Sequence, residues 1–550
     1  MGVKEIFTQS TLAKYGKAIS ATPREVIFNH NLILSAALYA MAGIPLCWDQ
    51  GSTSTIPSLP GFQHFFGLTS SAKEIKNFVS LVYIGCGVGA GLSFFINDKI
   101  GRLWSLRLYM AIWILGQLIA TAAPNLACLY ASRIISGFGI GPLTVIGPVA
   151  LAEIAPTEIR GLITAWFTIV LLMALFVAAF TVFGAYTNMA ATRLQYQVVW
   201  FSPCIFLCFC IAGSFFVCES PRWLFLRRRH DEGIKMLTKL RGLPADHPRV
   251  AIEIRDIEES ISHEMADFEP GPGGHKPFAR LTGLLRETFL VPANLRRVQQ
   301  AMVSYALAQL SGANAVTSYF IPILKIIGIA SSKNASHSLF LSCMYSMAKF
   351  FFTVIASFFF IDALGRRKSL FVGIIIQMCS DIYIGVYIKY NQAGHVSNAA
   401  SQAAIAAIFL HGFGYAVGLL ILPYVFGGEI WPNRIRSFGA AITQCFHWLF
   451  YYGVSAGFPS ILSSMDNWGA FLFFAGWCFI ALIYVFLMVP EISGLSVEEI
   501  DDLFKGPWFN AYRRSKTPTI IASSDCEDSI VEQSMTKHTD NGKDVTEVKA

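Results

Sequence analysis

Apolar residues in this chain come in near-continuous runs of about twenty, the length a helix needs to cross a hydrocarbon core of roughly 30 Å. The runs fall near 32–52, 77–97, 104–124, 127–151, 162–186, 198–218, 299–323, 338–361, 369–389, 402–427, 437–461 and 467–489. Six precede a long polar interruption at 219–298 and six follow it. Lipid satisfies no backbone donor or acceptor, and the runs lack the ten-residue alternation of a barrel strand, so all twelve are predicted to be helices. The expected fold is an all-α membrane protein with six-helix bundles at 32–218 and 299–489. A terminal segment at 1–31, a helical loop at 219–298 and a tail at 490–550 lie outside the lipid.

Composition supports that reading. Hydrophobic residues make up 54% of the 550 and charged residues only 14%, against about 25% charged in soluble domains. A set of soluble domains is therefore excluded. Eleven of the twelve cysteines sit in or beside apolar runs, without CxxC or Cys/His spacing, so neither a disulfide framework nor a metal site is predicted. No cofactor is expected. The first thirty residues contain no apolar core of a cleavable leader.

The net charge of +7 is distributed by topology and forms no nucleic-acid face. With the N-terminus cytoplasmic, 34 of the 42 basic residues fall at or next to the inner side, six at or next to the outer side, and Arg133 and Lys349 deep inside spans. Both termini are thus predicted to be cytoplasmic. The sequon at Asn334 then lies outside, open to glycosylation. Charged and apolar residues alternate over 227–240 and 250–261, as in short amphipathic helices beneath the membrane. The tail beyond about 517 is too polar to build a core and is predicted to stay unfolded.

The two halves repeat their charges. Asp98, Gly101 and Arg102 follow span two; Asp362, Gly365 and Arg366 follow span eight. Glu153 precedes Arg160 by seven residues, as Glu429 precedes Arg436. Glu219 and Arg222 follow span six, and Glu491 follows span twelve. Such duplication marks a parallel repeat with a solute site between the bundles near the midplane. The charges form a candidate cytoplasmic gate that pairs when the inner side closes and separates when it opens. Each exposed pair contributes only about 0–1 kcal/mol, so the network biases the equilibrium without locking it. The alternative is ordinary topology-setting charge.

These motifs resemble the sugar porters of the major facilitator superfamily. The resemblance runs from about Thr22 to Phe504 and includes Arg133, Gly137, Gly139 and Gly141 leading to Pro148, and Glu219-Ser220-Pro221-Arg222-Trp223-Leu224. It also includes Gln309, Gly312 and Asn314, and Pro490-Glu491 leading to Glu498-Glu499. Thr22-Pro23-Arg24-Glu25-Val26 and the span-eight lysine are similar to the fungal quinate-permease branch. The resemblance implies a twelve-helix major facilitator fold and a functional monomer in the plasma membrane. In proton-coupled members the acid matching Asp49 takes up the proton and the arginine matching Arg133 is its partner. An ionisable residue at membrane depth is a functional candidate by default, although a static structural pair is the alternative here.

The resemblance also implies a solute pocket from Gln309, Asn314 and Tyr319 on span seven and Trp448 on span eleven. This sequence departs from the family at Thr168, Tyr424 and His447, and at Ala308 and Ser318. Those changes weaken a case for glucose. Lys349, about 20 Å above the inner end of span eight, either faces the cavity and attracts a carboxylate, or snorkels or pairs internally.

The leading expectation is proton-coupled uptake of a sugar, polyol or quinate-like hydroxylated acid. An exporter of a small metabolite and a non-transporting nutrient sensor are the alternatives. No GxxxxGK[ST] loop or HExxH cluster points to a pump or a membrane enzyme.

Overall fold

A computed structural model describes residues 16, 19–20, 22–68, 73–266, 277–328, 335–360, 366–420, 430–432, 435–491 and 503–504. Ten helices among them are long and apolar enough to cross a membrane. In chain order, span one comprises His30–Ala40, a tight turn at Met41–Gly43 and Ile44–Thr53. Spans two to six are Lys73–Ile100, Arg102–Ala122, Leu126–Ile154, Arg160–Asn188 and Leu194–Gly213. Spans eight, nine, ten and twelve are Ala335–Ile355, Arg366–Gln392, Asn398–Tyr415 and Trp468–Met488. Spans seven and eleven complete the twelve-helix fold. Span eleven, Arg436–Ser464, is diluted in hydropathy by Thr443, Gln444 and His447, all buried inside the protein.

Span seven differs from the expected unbroken helix at 299–323. It begins at Pro292, stops at Leu310, resumes as Ala313–Ser318 and ends as Phe320–Ile326. Gly312 turns the break with φ +80°, and a Cβ there would lie 2.6 Å from the Phe474 ring. The early start places Arg296 and Arg297 in the first turns, where both are buried. Their guanidinium groups stack on Phe504, and Arg296 donates to the Leu503 oxygen at 3.1 Å. The chain beyond span twelve thus covers charges that the sequence assigned to an open loop.

Close helix contact explains the glycine-rich stretches. A Cβ on Gly85 would meet the Ile134 oxygen at 2.2 Å, and one on Gly137 the Val82 oxygen at 2.1 Å. Spans two and four therefore touch backbone to backbone, the packing that small residues allow in lipid.

The halves meet where span two packs on span eleven and span five on span eight. Phe94 and Phe438 cross at 5.3 Å in the first seam, and Phe176 and Phe350 at 5.3 Å in the second. We term the end carrying Asp98–Arg102 the basic face. At the opposite face one apolar cluster unites the halves, joining Ile56, Phe62 and Trp200 to Val316, Tyr319 and Phe458. Toward the basic face one apolar cluster lies around Leu106 and Ile154 and takes in Trp448 and Tyr451 of span eleven, and a second lies around Leu370 and Trp431, with Phe94 packed against the second and Leu420 against both. The halves are in close apolar contact at the opposite face.

Helices at His230–Arg241, Pro248–Ala266 and Pro277–Leu290 fill the polar interruption. The first two dock on the N-terminal half. Buried Arg241 bonds Glu253 at 2.9 and 2.6 Å and the Ile154 oxygen at the end of span four at 2.8 Å. Asn29 donates to the Lys239 oxygen at 3.1 Å.

Candidate functional site

Asp49, on the second segment of span one, lies against Arg133 of span four. Arg133 Nη1 donates to Asp49 Oδ1, and Nη2 donates to Oδ2 at 2.8 Å. Arg133 Nε donates to the Phe78 oxygen at 2.9 Å, with the Phe78 ring 5.0 Å away. The residues are 4% and 2% exposed. Such a fork-to-fork pair gives the carboxylate two charge-assisted hydrogen bonds in fixed geometry.

The next residue connects this pair to the other half. Gln50 Nε2 donates to Tyr451 Oη on span eleven at 2.8 Å. Tyr451 lies 4.0 Å from the Tyr83 ring and 5.9 Å from Trp448. Trp448 Nε1 returns across the interface to Thr144 Oγ1 of span four at 3.3 Å. His447 packs 4.5 Å from Tyr305 and 4.7 Å from Trp448, while Gln444 donates to Tyr305 Oη at 3.0 Å. A polar and aromatic chain therefore runs from the acid to the centre of the interface. Tyr451→Phe removes one buried bond between the halves, worth about 1 kcal/mol. The expected outcome is a roughly fivefold population shift toward opening at the opposite face. Electron-spin distances between labels on spans one and seven check it, and unchanged distributions contradict it.

The break in span seven places Gln309 and Asn314 on either side of one turn. Asn314 Nδ2 donates to Gln309 Oε1 at 3.0 Å and to Tyr415 Oη at 3.1 Å. Gln309 Nε2 has no hydrogen-bond partner among the described residues. Lys349 is 3% exposed, which removes the snorkelling alternative. Its Nζ donates to Thr317 Oγ1 at 2.9 Å and lies 5.9 Å and 5.7 Å from the Tyr345 and Tyr415 rings. Cys47 of span one is within its electrostatic reach across the interface. An ammonium has three donors, and one is filled by a described residue.

Tyr319 and Thr168 are not hydrogen-bonded to this cluster among the described residues. The Tyr319 hydroxyl donates to the Ser455 oxygen at 3.1 Å and sits in the apolar packing of the opposite face, so its donor is committed within its own half. Thr168 is half-buried on span five, with no hydrogen bond to the cluster among the described residues. Tyr424 and Asn334 lie outside the described residues.

Residues 35–504 match the family model described as "Sugar (and other) transporter". The chain belongs to this family. It is a multi-pass membrane transporter of small solutes, not an enzyme. It is 29% identical over 497 residues to a probable quinate permease of Aspergillus niger, covering 88% of this chain and 89% of that protein. It is 28% identical over 502 residues to the quinate permease of Emericella nidulans, covering 89% and 92%. Among solved structures, the proton:xylose symporter XylE bound to 6-bromo-6-deoxy-D-glucose superposes with a TM-score of 0.70. That match has 21% identity and covers 86% of this chain and all of XylE.

The duplicated charges of this sugar porter hold together helices of the same half. Arg102 binds Glu153 through Nε and Nη2, both at 2.8 Å, and Asp98 through Nη1 at 3.2 Å. Glu153 thus pairs with Arg102, whereas Arg160 is exposed and makes no described ion pair. Glu219, a member of the candidate gate, accepts from the backbone N–H groups of Arg102 and Leu103 at 3.1 and 3.0 Å. Glu491 does the same for Arg366 and Arg367, at 3.0 Å each. In both halves a carboxylate from beyond the sixth helix caps the third, where the helix dipole and open donors favour an anion. Burial pushes the Glu219 carboxyl up from its ordinary range, against the pull of these donors. Arg222 reaches Ser260 Oγ at 3.4 Å on the helix Pro248–Ala266. Asp362, Glu429 and the Arg436 side chain lie outside the described residues.

Gly101 completes the capped corner with φ +91°, and a Cβ there would lie 2.8 Å from Glu219 Oε2. Gly101→Ala is expected to cost about 1–3 kcal/mol, seen as a lower melting temperature in detergent. An unchanged melting temperature contradicts this account of the corner.

Proposed function

We propose that this sugar porter takes up a hydroxylated carboxylic acid, a quinate-like ring acid, together with a proton by alternating access. The basic face is cytoplasmic in this reading, and the protein works in the plasma membrane. One observation carries the substrate class: Lys349 is a buried ammonium at the interface whose single described hydrogen bond goes to Thr317. A cation so placed costs several kcal/mol without a counter-charge, and a solute carboxylate supplies one. The Gln309 and Asn314 amides and the Tyr415 hydroxyl, all buried nearby, offer donors and acceptors for ring hydroxyls. The relatives named as quinate permeases favour the same class.

Charge balance favours a proton as the partner. Moving one charge through the membrane potential involves about 2.3 kcal/mol per 100 mV, so a monovalent acid entering a negative interior alone moves uphill. With one proton it is electroneutral. Asp49 is placed to take that proton when Arg133 releases it, and the Gln50–Tyr451 bond gives the solute site mechanical access to the pair. The charged corners at the basic face keep each bundle rigid while the halves rock.

Uptake of labelled quinate into transporter-deficient cells, with neutral inositol as comparison, tests the reading. Saturable quinate uptake that rises in acidic medium and outcompetes inositol is the expected result. Equal handling of the two would contradict the substrate class.

A further inference from the structure

Spans nine and ten carry a second buried acid and base that the coupling scheme above does not use. Asp381 and His411 are both 0% exposed, with His411 Nε2 3.5 Å from Asp381 Oδ1. Neither Asp381 oxygen has a hydrogen-bond partner among the described residues, and neither does His411 Nδ1. His411 Nε2 lies 3.1 Å from the backbone oxygen of Ser311. That oxygen only accepts, so Nε2 carries the hydrogen. Gln377 Nε2 reaches Ser311 Oγ at 3.1 Å and lies 3.5 Å from the same imidazole nitrogen. Ser311 is the residue at which span seven breaks between Gln309 and Asn314.

A bare carboxylate at this depth costs several kcal/mol, so Asp381 either holds a proton or faces an imidazolium. The pair with one shared proton is neutral. Its other titratable neighbours are Lys349 and Tyr345 on span eight, the first in reach of His411 and the second of Asp381, and Cys478 on span twelve. Span seven contributes the Ser311 backbone to this contact. Lys349 opposes the uptake of a further positive charge by the pair, and an anion resting on Lys349 relieves that opposition.

We propose that Asp381 and His411 form a second proton-binding site, in the C-terminal half, at the break in span seven. Protonation of the Asp381 carboxyl withdraws its charge from the imidazole and leaves the Nε2–H to the Ser311 oxygen, which stiffens the turn that sets Gln309 against Asn314. The link to an anion on Lys349 rests on the substrate reading above; the proton site itself does not.

Infrared difference spectra of the purified protein in lipid nanodiscs, recorded between about pH 5 and 8, test it without any solute. A pH-dependent carboxylic acid band is expected in wild type, retained in Asp49→Asn and lost in Asp381→Asn. His411→Gln keeps a donor for the Ser311 oxygen and is expected to move its midpoint by at least about one pH unit. A band indifferent to Asp381→Asn, a midpoint unmoved by His411→Gln, or the absence of such a band overturns the proposal. Should Asp381→Asn fail to fold, Asp381→Glu keeps the acid and is expected to shift the band's frequency; an unshifted band overturns the assignment. In transport, quinate exchange by Asp49→Asn is expected to keep a pH dependence that adding His411→Gln removes. Failure of quinate exchange alone, with the spectra as expected, counts against the substrate reading and leaves the proton site standing.

Discussion

Asp49→Asn is expected to abolish accumulation of solute against its gradient while leaving exchange of internal for external solute intact. The asparagine is isosteric and still accepts a bond from Arg133, but it neither carries the charge nor takes up the proton. Exchange requires only that the loaded protein reorient, which an uncharged residue at this position permits. Accumulation requires that the empty protein return with its acid in a different protonation state. Disrupting a buried pair of this kind costs about 3 kcal/mol or more, and that energy corresponds to at least a roughly hundredfold change in an equilibrium. Vesicles loaded with unlabelled quinate and given labelled quinate outside measure exchange, and the same vesicles under an imposed pH gradient measure accumulation. Loss of both activities in a folded protein would assign Asp49 to reorientation or binding. Retention of both would leave the pair a structural strut.

Lys349→Ala is expected to lower apparent affinity for hydroxylated acids roughly ten- to hundredfold, the range that about 1.4–3 kcal/mol for a charged hydrogen bond represents. Neutral polyols are expected to change by less than about threefold. Lys349 is 3% exposed and fixed by Thr317 between Tyr345 and Tyr415, so its charge is poorly screened. Lys349→Arg keeps charge but not shape and is expected to fall between wild type and alanine for acids. Competition curves against labelled quinate for an acidic and a neutral solute check this. A parallel loss for both classes makes the lysine a packing element.

The architecture was legible because lipid imposes a simple rule. A segment that must satisfy its own backbone is a helix, and twelve apolar runs mark where such helices lie. The repeated charges were legible for a related reason, since the helix corners at Asp98–Arg102 and Arg366 recur with their acids in the same order. What those acids do was not legible. The repeat names Glu219 as a gate acid without a partner; its partners are the open N–H groups of the third helix, and backbone direction at that corner is set by a glycine with positive φ that spacing alone does not orient.

Inside the membrane the basic residues were conspicuous, so Arg133 and Lys349 stood out and Asp49 followed as the matching acid. Asp381 and His411 escaped because one is the only acid of predicted span nine and the other the only histidine of predicted span ten, thirty positions apart. Both were nonetheless readable as ionisable groups within predicted spans nine and ten, and the rule applied to Asp49 would have found them. The break in span seven has a weaker signal. Ser311-Gly312 lies in a run that is apolar on both sides, and the turn depends on the Phe474 ring packed where a side chain would otherwise go. Tyr415, Gln50 and Tyr451 were likewise invisible as partners, because their contacts cross helices far apart in the chain.

The most direct test of proton-coupled alternating access is the proton movement evoked by solute itself. Purified protein in proteoliposomes, with no initial pH gradient and a pH indicator outside, receives a pulse of quinate. Alkalinisation of the medium in step with quinate entry, absent in Asp49→Asn, is the predicted result. Quinate entry with no accompanying proton uptake in the wild-type protein would contradict it.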